Sequence, residues 1–352
     1  MESLPILDQS QVAAARRQAA ALAKRVGFGE EDAGRVALVA SELAGNILRH
    51  AIPRDAGPRH APGGTGEILL GTVEEDGIEA VEMIALDRGR GMDNISACLE
   101  DGFSTAGTPG TGLGAVRRQS DLFDIHSTPG QGTAVLARLR RDRGTVPPAP
   151  LRHGTVSLPK PGEEVCGDGW ALRTEGEHWL LLVADGLGHG PQAAEASLEA
   201  VRRFRQADPA EDLASVLRRL HDGLRHTRGA AVSVARGALP FGETPGQVTY
   251  GGVGNVAGLI LDGHKPRHMV SHNGTLGHTA SRFQATPYPC PRDALVVLHS
   301  DGIATSWKLD HLPGITRRHP TLIAGVIYRD AARGRDDATV AVLAPGRAEM
   351  PA

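Results

Sequence analysis

The sequence predicts a protein of two α+β domains, and three observations support this. The chain has 352 residues, enough for two ordinary domains that each bury their own core. Residues 141–150, RDRGTVPPAP, place three prolines among charged residues, as a linker does. The regions on either side both mix helical and strand patterns. We therefore expect a first domain over 1–140, a linker over 141–150 and a second domain over 151–352.

The first domain begins with two helical patterns, over 11–26 and 30–50. In the second of these, apolar residues recur at steps of three and four and form one face, namely Val36, Val39, Leu43 and Ile47. A short helix is expected to begin near Leu113. Strands are expected near 66–73, 78–86, 122–127 and 132–139. These elements predict a mixed sheet covered by helices, and the Pro/Gly-rich segment 53–66 is interpreted as a loop.

The second domain alternates strand patterns with glycine turns and contains a pair of helices. The helices are expected near 191–205 and 210–226. The strands are expected near 153–158, 170–174, 178–184, 230–236, 247–251, 255–261, 294–299 and 338–343. Many strands with a helical pair predict an α+β sandwich.

Composition makes several classes of function unfavourable. Lys and Arg total 38 against 41 Asp and Glu, so no broad basic field would attract nucleic acid or anionic lipid. No window approaches the roughly 20 apolar residues of a membrane span, and no secretory signal pattern is seen at the N-terminus. The three cysteines lack the spacing of a zinc site or a disulfide framework. We therefore expect a cytoplasmic protein with no nucleic-acid or membrane partner, while its oligomeric state stays open.

Glu42 and Asn46 are four residues apart on the second helix and share a strip beside its apolar face. An amide oxygen suits Mg²⁺, and a nearby carboxylate could polarise an attacking hydroxyl. The alternative is an ordinary solvated helix face.

Two glycine-rich stretches follow. Asp87 ends a strand and is followed by Gly89 and Gly91, which could let the backbone pass close to a flat ligand, although a plain hairpin turn has the same pattern. A second stretch precedes the short helix with Gly110, Gly112 and Gly114. Free N–H groups at such a helix start favour a phosphate.

In this order, the Glu/Asn pair, the Asp-x-Gly-x-Gly box and the glycine box resemble the GHKL ATPase/kinase family. The segment 101–139 is similar to its RsbT-like branch of switch serine kinases. The resemblance implies a two-layer α/β sandwich that binds ATP with Mg²⁺ and phosphorylates serine or threonine on another protein. It assigns Glu42 as general base and Asn46 as Mg²⁺ ligand. The nucleotide contacts that it implies are Asp87 at the adenine, Thr133 near it, and Gly89, Gly91, Gly110, Gly112 and Gly114.

Acidic residues cluster in the second domain near the ends of apolar runs, and we expect them at turns that follow strands. They are Asp168, Asp185, Asp301, and Asp336 with its neighbour Asp337. A single Asp-Gly pair is usually just a turn. Several clustered carboxylates instead repel one another and need a cation, and an oxygen-only ligand set favours Mg²⁺ or Mn²⁺. Glycine after the aspartate, as at Gly186, would free a backbone carbonyl for the metal.

The stretches CGDGW, ADGLGHG, YGGVGNV, SDG and DDATV resemble the PPM-type metal-dependent serine/threonine phosphatases, in their SpoIIE-like and RsbX-like branch. The resemblance implies an α-β-β-α sandwich with two Mn²⁺ or Mg²⁺ ions that activate water for direct hydrolysis. Asp185 would bridge both ions, Gly186 would contribute its carbonyl, and Asp301 and Asp336 would complete one shell. Asp168 would act from an outer or third metal position.

Together the two resemblances imply a bifunctional partner-switching regulator. Its expected partners are STAS-domain antagonist proteins of a stressosome or sigma-factor pathway. Two alternatives remain at this point. The first domain could sequester a regulator without phosphorylating it, which nucleotide turnover with a bound partner would reveal. The second could act on small phosphorylated metabolites while the first senses ATP, which a comparison of phosphopeptides with sugar phosphates would decide.

Overall fold

The computed structural model describes residues 1–51, 66–75, 77–100, 112–142, 151–239, 246–263 and 265–345. The chain divides into two compact units. One comprises Met1–Val146 with His311–Arg318, and the other comprises Pro147–Asp310 with His319–Ala352. The division falls within the stretch expected as a linker, of which residues 143–150 lie outside the described part. The linker and the exact domain limits therefore stay predictions.

The first unit is a helix layer on one antiparallel sheet. The sheet has the order β1-β2-β3-β5-β4. Its strands are β1 (Glu2–Pro5), β2 (Gly66–Glu75), β3 (Ile78–Asp87), β4 (Leu122–Ser127) and β5 (Thr133–Arg140). The helices are α1 (Gln9–Arg25), α2 (Glu30–His50), α3 (Ile95–Cys98) and α4 (Gly112–Gln119), and a 3₁₀ turn covers Ile315–Arg317. The two-layer α/β sandwich expected from the sequence is confirmed.

Local signals explain the two long helices. Asp8 caps α1 by accepting from the backbone N–H groups of Ser10 and Gln11, and the Gln11 side chain returns to the Asp8 N–H. The apolar face predicted for α2 is confirmed, because its four apolar residues are at most 2% exposed. They pack against β2, β3 and β5 in the core of this unit. This packing determines which way the neighbouring strip of α2, with Glu42 and Asn46, faces.

The second unit has two five-stranded sheets between helices. One sheet has the order β13-β10-β9-β8-β7 and the other β12-β11-β14-β15-β6. The strands are β6 (Leu151–Leu158), β7 (Asp168–Glu175), β8 (His178–Gly186), β9 (Ala230–Ala238), β10 (Gln247–Val253), β11 (Ala257–Asp262), β12 (Lys265–Met269), β13 (Thr286–Pro289), β14 (Leu295–His299) and β15 (Ala338–Pro345). The helices are α5 (Pro191–Phe204), α6 (Leu213–Gly223) and α7 (Pro320–Ala331).

The layers of the second unit follow from which faces are apolar. Helices α5 and α6 cover the first sheet, and α7 covers β6 and β15 of the second. Between the sheets, Leu181 and Val183 of β8 share a core with Val296, Leu298 and Leu343. The α-β-β-α sandwich expected from the sequence is confirmed.

No described helix is both long enough and apolar enough to span a lipid bilayer. This agrees with the absence of an extended apolar run in the sequence.

Candidate functional site

The sequence predicted that the four acidic stretches of the second unit lie at turns after strands. The structure shows this for only one of them. Asp168 begins β7, and Asp185 lies within β8, directly opposite it in the antiparallel register. Asp301 comes two residues after β14 ends, whereas Asp336 precedes β15. The expectation was wrong for Asp168, Asp185 and Asp336. Strand pairing itself, rather than turn position alone, is what brings the first two carboxylates together.

The aspartates at these positions form one acidic group. Burial, and then the charges of Asp168, Asp301, Asp336 and Asp337, raise the pKa of Asp185 to about 9. Burial also raises the pKa of Asp168 to about 7, against opposing hydrogen bonds. The pKa of Asp301 is raised by burial and then by Asp336. Carboxylates that disfavour one another's ionisation in this way lie within electrostatic reach of one another.

Two buried carboxylate oxygens of this group lack a hydrogen-bond donor among the described residues. Asp168 Oδ2 accepts from Ser300 Oγ at 2.6 Å, but Asp168 Oδ1 has no partner. Asp337 Oδ1 accepts from the Lys160 N–H at 2.9 Å, but Asp337 Oδ2 has none. A buried oxygen without a partner is costly unless a cation neutralises it. The donor set therefore fits a hard divalent cation.

The Gly254-Asn255 turn holds another carboxylate of the group. Gly254 has a φ of 96°, and Asn255 Nδ2 donates to Asp301 Oδ2 at 2.5 Å. Behind the turn, the Val256 carbonyl accepts from the hydroxyls of Ser233 and Ser271. This buried network anchors the turn that orients Asp301.

The carboxylates are neighbours without being assembled as ligands. No group of three or more described His, Cys, Asp or Glu side chains stands at metal-coordinating spacing. Mg²⁺ in proteins usually keeps several waters and is bound through one or two carboxylates, so it does not need such a full set of protein ligands. The ligand set of Asp185, Gly186, Asp301 and Asp336, and the outer position of Asp168, stay predictions.

Glycine has a packing role in these motifs that sequence reasoning missed. A Cβ at Gly186 would lie 2.0 Å from the Ala193 carbonyl oxygen of α5. A Cβ at Gly302 would lie 1.9 Å from the Asp337 carbonyl oxygen. Both glycines therefore let neighbouring backbone approach closely, whether or not a carbonyl also binds a metal.

The acidic group predicts an unusual pH dependence of stability for the metal-free protein. The folded state retains protons on Asp168 and Asp185 up to about pH 7 and 9, whereas unfolded aspartate loses them near pH 4. The free energy of unfolding should therefore fall as pH rises from about 4 to 9. Thermal unfolding in a chelator should show this fall, and Asp185→Asn should make it shallower and raise the Tm by roughly 3–10 °C at pH 8. Identical slopes for the two proteins would contradict the assignment.

In the first unit, α2 and the start of α4 bring predicted residues together. A Cβ at Gly112 would lie 3.4 Å from Asn46 Oδ1 and 3.5 Å from Glu42 Oε2. Asn46 Oδ1 accepts from the exposed Arg49 Nη2 at 2.9 Å, while its buried Nδ2 has no partner among the described residues. Gly114 is buried within α4. Gly110 lies outside the described residues, so its predicted phosphate contact is not placed.

Asp87, the last residue of β3, meets the start of β5. Its Oδ1 accepts from the backbone N–H groups of Gly89 at 2.7 Å and Thr133 at 3.2 Å. Thr133 Oγ1 hydrogen-bonds Ser127 Oγ at 2.9 Å. A Cβ at Gly89 would lie 2.4 Å from the His50 carbonyl oxygen, and one at Gly91, where φ is 69°, would lie 2.2 Å from a carbonyl oxygen of the facing turn. These two glycines thus permit close packing of protein backbone, and their contact with a nucleotide stays a prediction.

The turn before β5 offers a matched test of this packing. Gly130 and Gly132 both have φ near 78°, yet a Cβ at Gly132 would lie 2.1 Å from the Asp87 carbonyl oxygen, whereas one at Gly130 would meet nothing within 4 Å. We expect Gly132→Ala to destabilise the first unit by about 2–4 kcal/mol and to weaken ATP binding. Gly130→Ala should cost about 1 kcal/mol. Denaturant unfolding and nucleotide titration measure both, and equal effects would contradict the placement of Asp87.

Comparisons with known proteins identify both regions. Residues 7–139 match the family model of histidine kinase-like ATPase domains, and residues 175–344 match the family model of stage II sporulation protein E, SpoIIE. The resemblances drawn from the motifs are therefore confirmed. A region that matches histidine kinase-like ATPase domains is thus followed in this chain by a region that matches SpoIIE.

Two curated relatives sharpen this assignment. The serine/threonine-protein kinase RsbT of Bacillus subtilis (strain 168) is 36% identical over 132 residues, which are 38% of this chain and 90% of RsbT. The phosphoserine phosphatase RsbX of the same organism is 27% identical over 159 residues, 44% of this chain and 76% of RsbX. A chain from a study of the bacterial stressosome is 26% identical and covers 55% of this chain and 98% of its own, with a TM-score of 0.49. The chain belongs to the RsbT family in its first region and joins it to an RsbX-like, SpoIIE-type second region.

Proposed function

We propose that the chain is a bifunctional partner-switching regulator. Its first domain transfers phosphate from ATP to serine or threonine of a STAS-domain antagonist protein. Its second domain removes phosphate from phosphoserine or phosphothreonine. The observation that carries the proposal is the acidic group of the second unit, in which one oxygen of Asp168 and one of Asp337 have no partner among the described residues. The likeness to a phosphoserine phosphatase supports it.

We assign two Mn²⁺ or Mg²⁺ ions to the second site. Asp185, Asp301, Asp336 and the Gly186 carbonyl would hold them, with Asp168 close by. Bound divalent ions would lower the pKa of a water molecule and aim it at phosphorus. The protein's own part is orientation, through the Ser300 hydrogen bond to Asp168 and the Asn255 hydrogen bond to Asp301.

A covalent mechanism is less consistent with the nearby side chains. Burial, and then the charge of Asp168, raise the pKa of the Cys166 thiol to about 12, so the thiol stays protonated. Ser300 is fully buried, and its Oγ both donates to Asp168 and accepts from the Thr339 N–H, so it is not accessible to a substrate. His189, on the glycine-rich loop after Asp185, hydrogen-bonds Glu163 at 2.7 Å and is exposed. These contacts favour direct hydrolysis over a phosphoenzyme.

The first site fits ATP with Mg²⁺. Asn46 would bind the metal, and Arg49 is exposed, so it can leave Asn46 Oδ1 without uncovering a buried contact. Glu42 would accept the proton of the substrate hydroxyl. Glycine at position 112 leaves the space beside both side chains free of a Cβ. The 36% sequence identity with the kinase RsbT supports phosphoryl transfer by the first domain over sequestration of a partner without phosphorylation.

If both domains acted on one site at once, ATP would be hydrolysed without effect. We therefore propose that they act on different STAS proteins, or that one activity is gated by the other. Purified protein incubated with ATP, Mn²⁺ and STAS proteins, followed by mass spectrometry of phosphosites, tests this. Asn46→Ala should abolish phosphorylation and Asp185→Ala dephosphorylation. One shared site with both activities high would contradict the proposal, and partner binding without any phosphorylation would support the sequestering alternative.

A further inference from the structure

Arg228, in the connection between α6 and β9, carries an exposed guanidinium next to the glycine-rich loop that follows Asp185. Its Nη1 lies 3.2 Å from the position that a Cβ would occupy on Gly188, in the glycine-rich loop after Asp185. The Leu187 N–H donates to the Gly229 carbonyl at 3.0 Å and ties this loop to the start of β9. Arg228 therefore lies against the loop that begins directly after Asp185.

Two charged side chains near Arg228 have partners, whereas Arg228 has none among the described residues. Glu163, on the other side of the loop, is occupied by His189. Arg225 pairs with Asp222 at 3.1 Å. In the described part of the chain, no carboxylate forms an ion pair or a hydrogen bond with Arg228. Its positive charge is thus available to a ligand.

A phosphorylated substrate needs such a charge at this place. The acidic group repels a phosphoryl dianion, and divalent ions would offset only part of this repulsion. A guanidinium presents several N–H donors in one plane, which matches the oxygens of a phosphoryl group and can bind two of them at once. An arginine against the loop that follows Asp185 can therefore both attract and orient the substrate.

We propose that Arg228 binds the phosphoryl group of the substrate and so distinguishes phosphorylated from unphosphorylated serine or threonine. This inference rests on the proposed phosphatase function of the second unit. It adds a substrate-binding residue outside the acidic group.

The test uses the full chain saturated with Mg²⁺. Binding of inorganic phosphate is measured by isothermal titration calorimetry, and hydrolysis of a phosphoserine peptide is measured in parallel. For Arg228→Gln we expect the phosphate Kd and the peptide KM each to rise about tenfold, with kcat changed less than about threefold. Arg228→Lys should lie between this variant and the wild type. Arg225→Gln, which removes a charge three residues away, should leave all three values unchanged.

Equal phosphate affinity for wild type and Arg228→Gln would overturn the inference. Equal losses of phosphate affinity in Arg228→Gln and Arg225→Gln would also overturn it. Such a result would mean that the general positive charge of this surface, and not a contact with Arg228, attracts phosphate. If Arg228→Gln unfolds at a lower temperature than the wild type, the Arg228→Lys variant replaces it in the test. Equal phosphate affinity for wild type and Arg228→Lys would then overturn the inference. Wild-type protein that binds phosphate through Arg228 but hydrolyses no phosphopeptide would contradict the proposed function and leave this inference standing.

Discussion

Replacing Asp185 by asparagine should reduce phosphopeptide hydrolysis by at least about a thousandfold. The reason is that Asp185 lies directly opposite Asp168 on the neighbouring strand, and that the charges of Asp301, Asp336 and Asp337 help to raise its pKa. Because the charges of all the other aspartates of the group act on Asp185, we expect Asp185 to contribute most to holding divalent cations there. Its loss leaves too little negative charge to hold them, and metal-dependent hydrolysis loses several kcal/mol of transition-state stabilisation. Initial rates on a phosphoserine peptide with Mn²⁺ measure this.

Two comparisons separate this loss from misfolding. Asp262→Asn, which changes an exposed aspartate at the end of β11, should retain full hydrolysis. Asp185→Asn itself should remain folded and, without metal, be more stable than wild type at pH 8, because asparagine folds without the proton uptake that the raised pKa of Asp185 requires at this pH. Hydrolysis that survives Asp185→Asn within a factor of ten would refute the role of the acidic group.

The second large effect is expected in the first unit. Glu42→Gln should lower the rate of phosphoryl transfer to a STAS protein by about a hundredfold to ten-thousandfold, the usual contribution of a general base. ATP binding should persist, because the substituted amide has nearly the same size as the carboxylate and would still line the space beside Asn46 and Gly112. Single-turnover transfer of radiolabelled phosphate and nucleotide titration measure the two quantities.

A matched control lies on the same helix. Glu31→Gln changes an exposed carboxylate in the first turn of α2 and should leave transfer unchanged. Transfer by Glu42→Gln at the wild-type rate would exclude Glu42 as the base. A loss of ATP affinity equal to the loss of rate would instead assign Glu42 to binding.

The fold was largely predictable because most elements have a clear apolar period. The face of α2 and the runs of β8 and β14 are examples. Helix α7 was missed because it is buried on nearly every side, so its sequence PTLIAGVIYRDA shows no polar stripe. Strands β12 and β13 were missed because both contain proline, which is tolerated there since each lies at the edge of its sheet.

The candidate site was predictable in its residue types and less so in its arrangement. The Asp-Gly motifs identified Asp185 and Asp301, but only the register of β7 and β8 pairs Asp168 with Asp185. Asp337 received no role from the sequence, yet one of its buried oxygens lacks a partner among the described residues. No local pattern distinguishes it from Asp336. The contacts of Asn255 and Arg228 join segments far apart in the chain, so spacing alone could not reveal them.

The central claim is that the acidic group of the second unit binds divalent cations. Electron paramagnetic resonance of Mn²⁺ titrated into the nucleotide-free full chain counts the bound ions directly. We expect two ions per chain for the wild type and for Asp262→Asn, and fewer than one at the same free Mn²⁺ concentration for Asp185→Asn. Wild-type protein that binds no Mn²⁺, or Asp185→Asn that binds as many ions as wild type, would contradict the claim.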